Sequence, residues 1–179
     1  MTSEPTGERV PRRPAVVEAL GRVGVLLLLG LVLVVGPLGM SRLNDALGWP
    51  RWRVPGGRVL AGAIVAGVLA LWLHASNLFV RVGHGTPFVT APPRRLVTVG
   101  LYAHSRNPIY VGHVALLCAW FLGSGRVALL LYAAAVWAVI QAGIVWLEEP
   151  QLLRRFGAPY AEYTATVPRW LLLRPRRSR

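Results

Sequence analysis

Apolar residues in this chain run in four blocks, and the stretches between them hold nearly all of the charge. The blocks extend from Val23 to Leu38, Val59 to Val80, Ile109 to Leu122 and Val127 to Leu147. A buried helix in a soluble protein of this size runs about 10 to 14 residues, whereas crossing a bilayer core of roughly 30 Å takes about 20. Block length therefore predicts an all-α polytopic membrane helical bundle with about four transmembrane helices. The third and fourth blocks are separated only by Gly123-Ser124-Gly125-Arg126, which predicts a tight helical hairpin. The third is short, so its helix begins before Ile109, tilts little, or sits where the bilayer thins. The second carries Gly62, Ala63, Ala66, Gly67 and Ala70 at helical spacing, a small-residue face expected to pack inside the bundle. The first, with Arg22 before it and Pro37 and Gly39 closing it, has the outline of a signal peptide. It ends in Gly36-Pro37-Leu38-Gly39-Met40 without a clear small-x-small cleavage site, so a retained span is expected.

Composition agrees with the blocks: 54% of residues are hydrophobic and 15% charged. The basic residues are all arginine, which with abundant Ala, Val, Gly, Leu and Pro suggests a high-GC bacterial genome. A formal charge of +13 raises the question of nucleic acid. The arginines, however, lie between apolar blocks and at the tail, without the interleaved aromatic and polar residues of a base-stacking surface. No nucleic acid is expected; anionic lipid headgroups are the natural partner. With four spans, 15 arginines fall on the side of the termini and the 81–108 loop and 5 on the other. The positive-inside bias then predicts an integral protein of a bacterial cytoplasmic membrane with both termini cytoplasmic. The chain divides into a basic segment 1–22, two spans in 23–80 and a chemistry-bearing region 81–179, ending in a short cytoplasmic helical segment. Cys118, the single cysteine, excludes an intrachain disulfide and reads as a small core residue. His74, His84, His104 and His113 have no metal-ligand spacing, and no metal is expected.

Two constellations carry candidate chemistry. The first is Leu96-Val97-Thr98-Val99-Gly100-Leu101-Tyr102, followed by Arg106-Asn107-Pro108-Ile109-Tyr110-Val111-Gly112. Asn107 then Pro108 is a helix start, with asparagine as the cap and proline at the first helical position. Such a start also offers free N–H groups to a carboxylate or phosphate, and Arg106 beside it is a candidate for orienting an anionic acceptor. The second is Glu148-Glu149-Pro150, where the fourth span ends. Two adjacent carboxylates oppose the helix dipole there and repel each other, so something must compensate. Either Pro150 opens a new helix whose N-terminus the glutamates cap, or a ligand with positive charge or sugar hydroxyls binds them. No G-x-G-x-x-G following a strand and no P-loop pattern occurs.

Taken together, the constellations resemble the isoprenylcysteine carboxyl methyltransferase family and its phospholipid methyltransferase relatives. Those proteins read L-V-x-x-G-x-Y, R-H-P-x-Y-x-G, a hairpin, then E-E-x-x-L-x-x-x-F-G-x-x-Y-x-x-Y-x-x-x-V-P. The matching residues here are Leu96, Val97, Gly100, Tyr102, Arg106, Pro108, Tyr110, Gly112, Glu148, Glu149, Leu152, Phe156, Gly157, Tyr160, Tyr163, Val167 and Pro168. The resemblance implies S-adenosyl-L-methionine as cofactor, a hydrophobic or lipid-like acceptor, and cofactor contacts at Leu96, Val97, Tyr102, Asn107, Pro108, Tyr110, Glu148 and Glu149. Asn107 replaces the family's histidine and cannot take up a proton near neutral pH. Ile144 stands where the eukaryotic enzymes place a substrate arginine, one turn before the first glutamate. Two other readings remain at this point. One is a membrane reductase of the sterol-reductase type, with Arg94 and Arg95 on an NADPH phosphate; the other is a non-enzymatic membrane protein.

Overall fold

The computed structural model describes residues 15–83 and 95–171. The basic N-terminal segment through residue 14, His84, Arg94 and the tail arginines Arg174, Arg176, Arg177 and Arg179 lie outside the described residues. The helices are α1 (Ala15–Gly30), α2 (Gly36–Ala46), α3 (Gly57–Arg81), α4 (Pro108–Ser124), α5 (Ala128–Gly143), α6 (Glu149–Phe156) and α7 (Ala158–Thr166). A π turn over Leu31–Val35 joins α1 to α2, and a second over Ile144–Glu148 joins α5 to α6. Four rods result, and three of them, Ala19–Ala46, Gly57–Arg81 and Ala128–Phe156, are long and apolar enough to cross a bilayer. The fourth, α4, has 17 residues, about 25 Å at 1.5 Å each, and starts one residue before Ile109. The all-α polytopic membrane architecture is as expected.

The first rod does not stop at Pro37, as the sequence suggested, but continues through it to Ala46. Proline has no N–H for the carbonyl four residues earlier and normally breaks a helix. Here the Gly36 N–H bonds to Leu31 O, five residues back, and the carbonyls this register frees find partners on other helices. Trp120 Nε1 of α4 donates to Leu33 O at 3.0 Å, and Tyr132 Oη of α5 donates to Val32 O at 2.9 Å. In a bilayer a freed carbonyl must be satisfied from within the protein, and these two bonds do so while joining the first rod to the hairpin. Leu33, Leu117 and Ala133 form the buried cluster between them.

At the hairpin end of the bundle, the 47–56 loop is knotted to the α4–α5 turn. Asn44 is fully buried; its Nδ2 donates to Trp49 O at 3.0 Å and its Oδ1 accepts the Ala128 N–H at 3.0 Å. Asp45 accepts from Arg126 Nη2 at 2.8 Å and from Arg51 Nη2 at 2.6 Å. Arg126 lies in the turn, and its hydrogen bond to Asp45 raises its pKa further above the ordinary guanidinium value.

The small-residue face of α3 is a correction. Gly62, Ala63, Ala66, Gly67 and Ala70 point outward, and a Cβ added at Gly62 or Gly67 meets nothing within 4 Å. The packed face is instead Gly57, Val68 and Ala75, with Trp72 beside them, set mainly against α4. Close approach is needed at other positions. A Cβ at Gly57 would overlap Leu122 O, and one at Gly112 would overlap the Trp72 indole, whose Nε1 donates to Ile109 O at 3.2 Å. Spacing alone could not choose between two faces that both carry small residues. Gly57→Ala is expected to cost about 1 to 3 kcal/mol by overpacking against a backbone oxygen that cannot move aside. Gly62→Ala should be neutral or stabilising by up to about 1 kcal/mol through helix propensity; thermal unfolding in detergent distinguishes the two.

Candidate functional site

The residues flagged on either side of the hairpin meet at the end of the bundle opposite the Asn44 knot. A short 3-10 turn, Gly100–Ala103, leads into Ser105-Arg106-Asn107 and the start of α4. Gly100 has a φ of +62°, a left-handed conformation that side chains rarely adopt, and a Cβ there would press on Leu78. Asn107 stands at the N-cap position but makes no side-chain cap, contrary to expectation. Its Nδ2 donates to Arg169 O at 3.1 Å; Ser105 Oγ donates to the same carbonyl at 3.1 Å and accepts the Asn107 N–H at 3.1 Å. The Arg106 N–H donates to Pro168 O at 2.9 Å. Three consecutive residues thus strap the segment after α7 across the start of α4.

The glutamate pair is arranged differently from the expectation that Pro150 opens a new helix. The chain from Ala128 to Phe156 is one helix, and the Glu149 N–H bonds five residues back to Ile144 O, the same adjustment immediately before a proline seen at Pro37. Compensation comes from side chains. Glu149 Oε1 accepts from Arg106 Nη1 at 2.9 Å and from Arg169 Nε at 2.7 Å, while Oε2 accepts from Arg169 Nη2 at 2.9 Å. The Glu149 hydrogen bond holds the Arg169 guanidinium above its usual pKa. Glu148 serves another neighbour, because adjacent helical residues diverge by about 100°. Its Oε2 accepts from Tyr110 Oη at 3.1 Å.

Around Tyr110 and Glu148 the surroundings are aromatic. Tyr102 is buried, its carbonyl accepts from Tyr163 Oη at 2.6 Å, and its ring meets Phe79 edge-on at 5.2 Å. Burial raises the Tyr102 hydroxyl well above the ordinary phenol range, and Tyr163, Glu148 and Tyr110 add to it. Burial raises Tyr163 and Tyr160 likewise, so these phenols stay protonated donors at neutral pH. His113, one turn along α4, lies between Trp72 at 5.0 Å and Tyr110 at 5.9 Å, measured ring to ring. Leu96 packs on the Tyr160, Tyr163 and Val167 cluster, and the Val97 side chain is buried with Ala75 and Tyr102. Val97 therefore has only backbone to offer a ligand. Pro108 and Asn107 are buried at the start of α4.

Tyr102, Arg106, Asn107, Tyr110, Glu148 and Glu149 are brought to one region. An open cleft of about 490 Å³ adjoins it, lined by Arg106, Glu149, Arg169 and residues of the α5–α6 rod and α7, but not by Tyr110 or Glu148. The family model described as phospholipid methyltransferase matches residues 58–159.

The chain belongs to the phospholipid methyltransferase family.

The family match reaches back to α3, beyond the resemblance legible from Leu96 onward. A fission yeast relative, Protein-S-isoprenylcysteine O-methyltransferase of Schizosaccharomyces pombe, is 32% identical over 109 residues. That stretch covers 56% of this family member and 44% of the relative, so the chain spans less than half of the relative's length. No solved structure matches.

Sequence reasoning gave Arg169 no role, although it supplies two of the three bonds to Glu149. An unbalanced acidic pair was the available signal, since two adjacent carboxylates in an arginine-rich chain call for cations. Glu149→Gln leaves Arg106 and Arg169 facing each other without an anion and should lower stability by about 2 kcal/mol. Glu148→Gln, which keeps an acceptor for Tyr110, should cost under about 1 kcal/mol. Thermal unfolding of the two variants side by side gives the comparison.

Proposed function

We propose that the chain is a membrane-embedded methyltransferase that uses S-adenosyl-L-methionine to methylate a hydrophobic or lipid-like acceptor bearing a carboxylate, amine or phospholipid headgroup. One observation carries this reading beyond family membership: the half-buried Glu148 carboxylate faces Tyr110 across the start of α4 and accepts its hydroxyl at 3.1 Å. A carboxylate set beside tyrosines at the start of a helix suits a cation or a sugar hydroxyl. The methyl donor brings an ammonium, a sulfonium and ribose hydroxyls, each of which suits an acceptor oxygen. We assign Glu148, Tyr110 and Tyr102 to holding that donor, with Leu96, Val97, Asn107 and Pro108 forming the turn around it. Glu149, expected among the cofactor contacts, we assign instead to the clamp with Arg106 and Arg169.

When bound, the donor supplies an already activated methyl group, so the protein's work is positioning and exclusion of water. Protonated tyrosines and a neutral Asn107 fit that role, since none of them must exchange a proton at neutral pH. The acceptor arrives from the bilayer between helices. Ile144, buried at 2% exposure where a substrate arginine is expected, offers no cation, which favours an acceptor other than the carboxylate of a prenylated cysteine. The arginine distribution and composition support a bacterial cytoplasmic membrane, with the site on the cytoplasmic side where the donor is made.

Isothermal titration of the purified, detergent-solubilised chain with S-adenosylhomocysteine should give saturable binding. Glu148→Gln is expected to weaken it about tenfold and Tyr110→Phe by less, as removal of one charged and one neutral partner would. A folded sample that binds neither the methyl donor nor its product would sink this assignment, and NADPH-selective stabilisation would replace it with a reductase.

A further inference from the structure

The cleft beside the clamp has features that donor binding leaves unexplained. Arg106 and Arg169 face it together and share one carboxylate, Glu149, so the wall carries an excess of one positive charge. The Arg106 side chain is only 10% exposed, and its Nε is a buried donor without a partner among the described residues. A buried unsatisfied donor on a charged group is costly, and an incoming oxygen anion removes the cost. The same cleft is lined by the apolar Val145, Pro150 and Leu153 and by Thr164 of α7. Val145 and Leu153 belong to the rod that crosses the bilayer, and Trp146 and Leu147 beside them are 75% and 64% exposed on its surface. A lining that joins two arginines to apolar side chains of a bilayer-crossing rod fits an amphiphile, with its anion at the arginines and its chains along the rod. Arg154 and Arg155, exposed on α6, add positive charge nearby.

We propose that this cleft binds the headgroup phosphate of an anionic membrane lipid, with its acyl chains against the α5–α6 rod, at a place separate from the Tyr110–Glu148 site. Such a lipid would bear on the clamp that straps the segment after α7 to α4, so its binding is coupled to the order of that segment. The proposal does not depend on the methyltransferase reading, because lipid retention is measured without any methyl donor.

Native mass spectrometry of the full chain tests it, with dioleoylphosphatidylglycerol and dioleoylphosphatidylcholine as paired probes and glycerol 1-phosphate as a headgroup without chains. The anionic lipid should be held about tenfold more tightly than the zwitterionic one, and glycerol 1-phosphate should compete only in large excess. Arg169→Gln and Thr164→Asp should each lower affinity for the anionic lipid about tenfold and leave the zwitterionic lipid unchanged. Thr164→Asp places a negative charge in the cleft while leaving every bond to Glu149 in place, so it decides the matter if Arg169→Gln fails to fold. Equal retention of both lipids, or unchanged affinity in Thr164→Asp, overturns the proposal. Glycerol 1-phosphate binding as tightly as the lipid points to a soluble phosphate instead. Displacement of the lipid by S-adenosylhomocysteine assigns the cleft to the methyl donor, and both results likewise count against it.

Discussion

The carboxylate of Glu149 is the point on which this end of the molecule depends. Three pieces of chain far apart in sequence converge on it: the start of α4 through Arg106, the segment after α7 through Arg169, and the α5–α6 rod that carries it. Each guanidinium alone near the membrane surface would be indifferent to its position. Sharing one carboxylate, they fix the strap made by Ser105, Arg106 and Asn107 on Pro168 and Arg169. The strap in turn settles where Tyr110 stands relative to Glu148. Charge pairs at a protein surface contribute little, but this one is largely shielded, with its members 10%, 18% and 38% exposed. It therefore acts as an anchor for geometry as much as a source of stability.

Two prolines inside long helices are accommodated by the same device. Before Pro37 and before Pro150 the helix widens by one residue, so that a backbone N–H reaches five residues back. At Pro37 the released carbonyls bind Trp120 and Tyr132 and weld the first rod to the hairpin. At Pro150 the wide turn contains Glu148, and the two carboxylates leave it toward different neighbours. Wide turns of this kind recur at functional sites, because they re-aim side chains that a regular helix would place elsewhere. Opposite roles for adjacent glutamates follow from backbone geometry rather than from their chemistry, which is identical.

Much of this was legible in the sequence. Block length gave the four rods, the Gly123–Arg126 turn gave the hairpin, and ordered motif residues from Leu96 to Pro168 gave the family. What was not legible is what depends on neighbours. Pro37 and Gly39 read as a stop because a single chain carries no sign that Trp120 and Tyr132 will supply the missing bonds. The small residues of α3 read as a packing face because their spacing is right, yet the face chosen was the one holding Gly57 and Ala75. Asn107 read as a cap because asparagine caps by preference, but the Arg169 carbonyl offered its amide a partner from 62 residues away. In each of these cases the local expectation failed because contacts with distant parts of the chain overrode it.

The strap across α4 also sets an order of events during synthesis. Arg106 is made before Glu149, and Glu149 before Arg169, since a chain is produced from its N-terminal end. The start of α4 is therefore formed first, and until the chain reaches Arg169 its Asn107 and Ser105 lack the carbonyl they will bind. The polar end of the bundle closes only when the last of the three segments arrives.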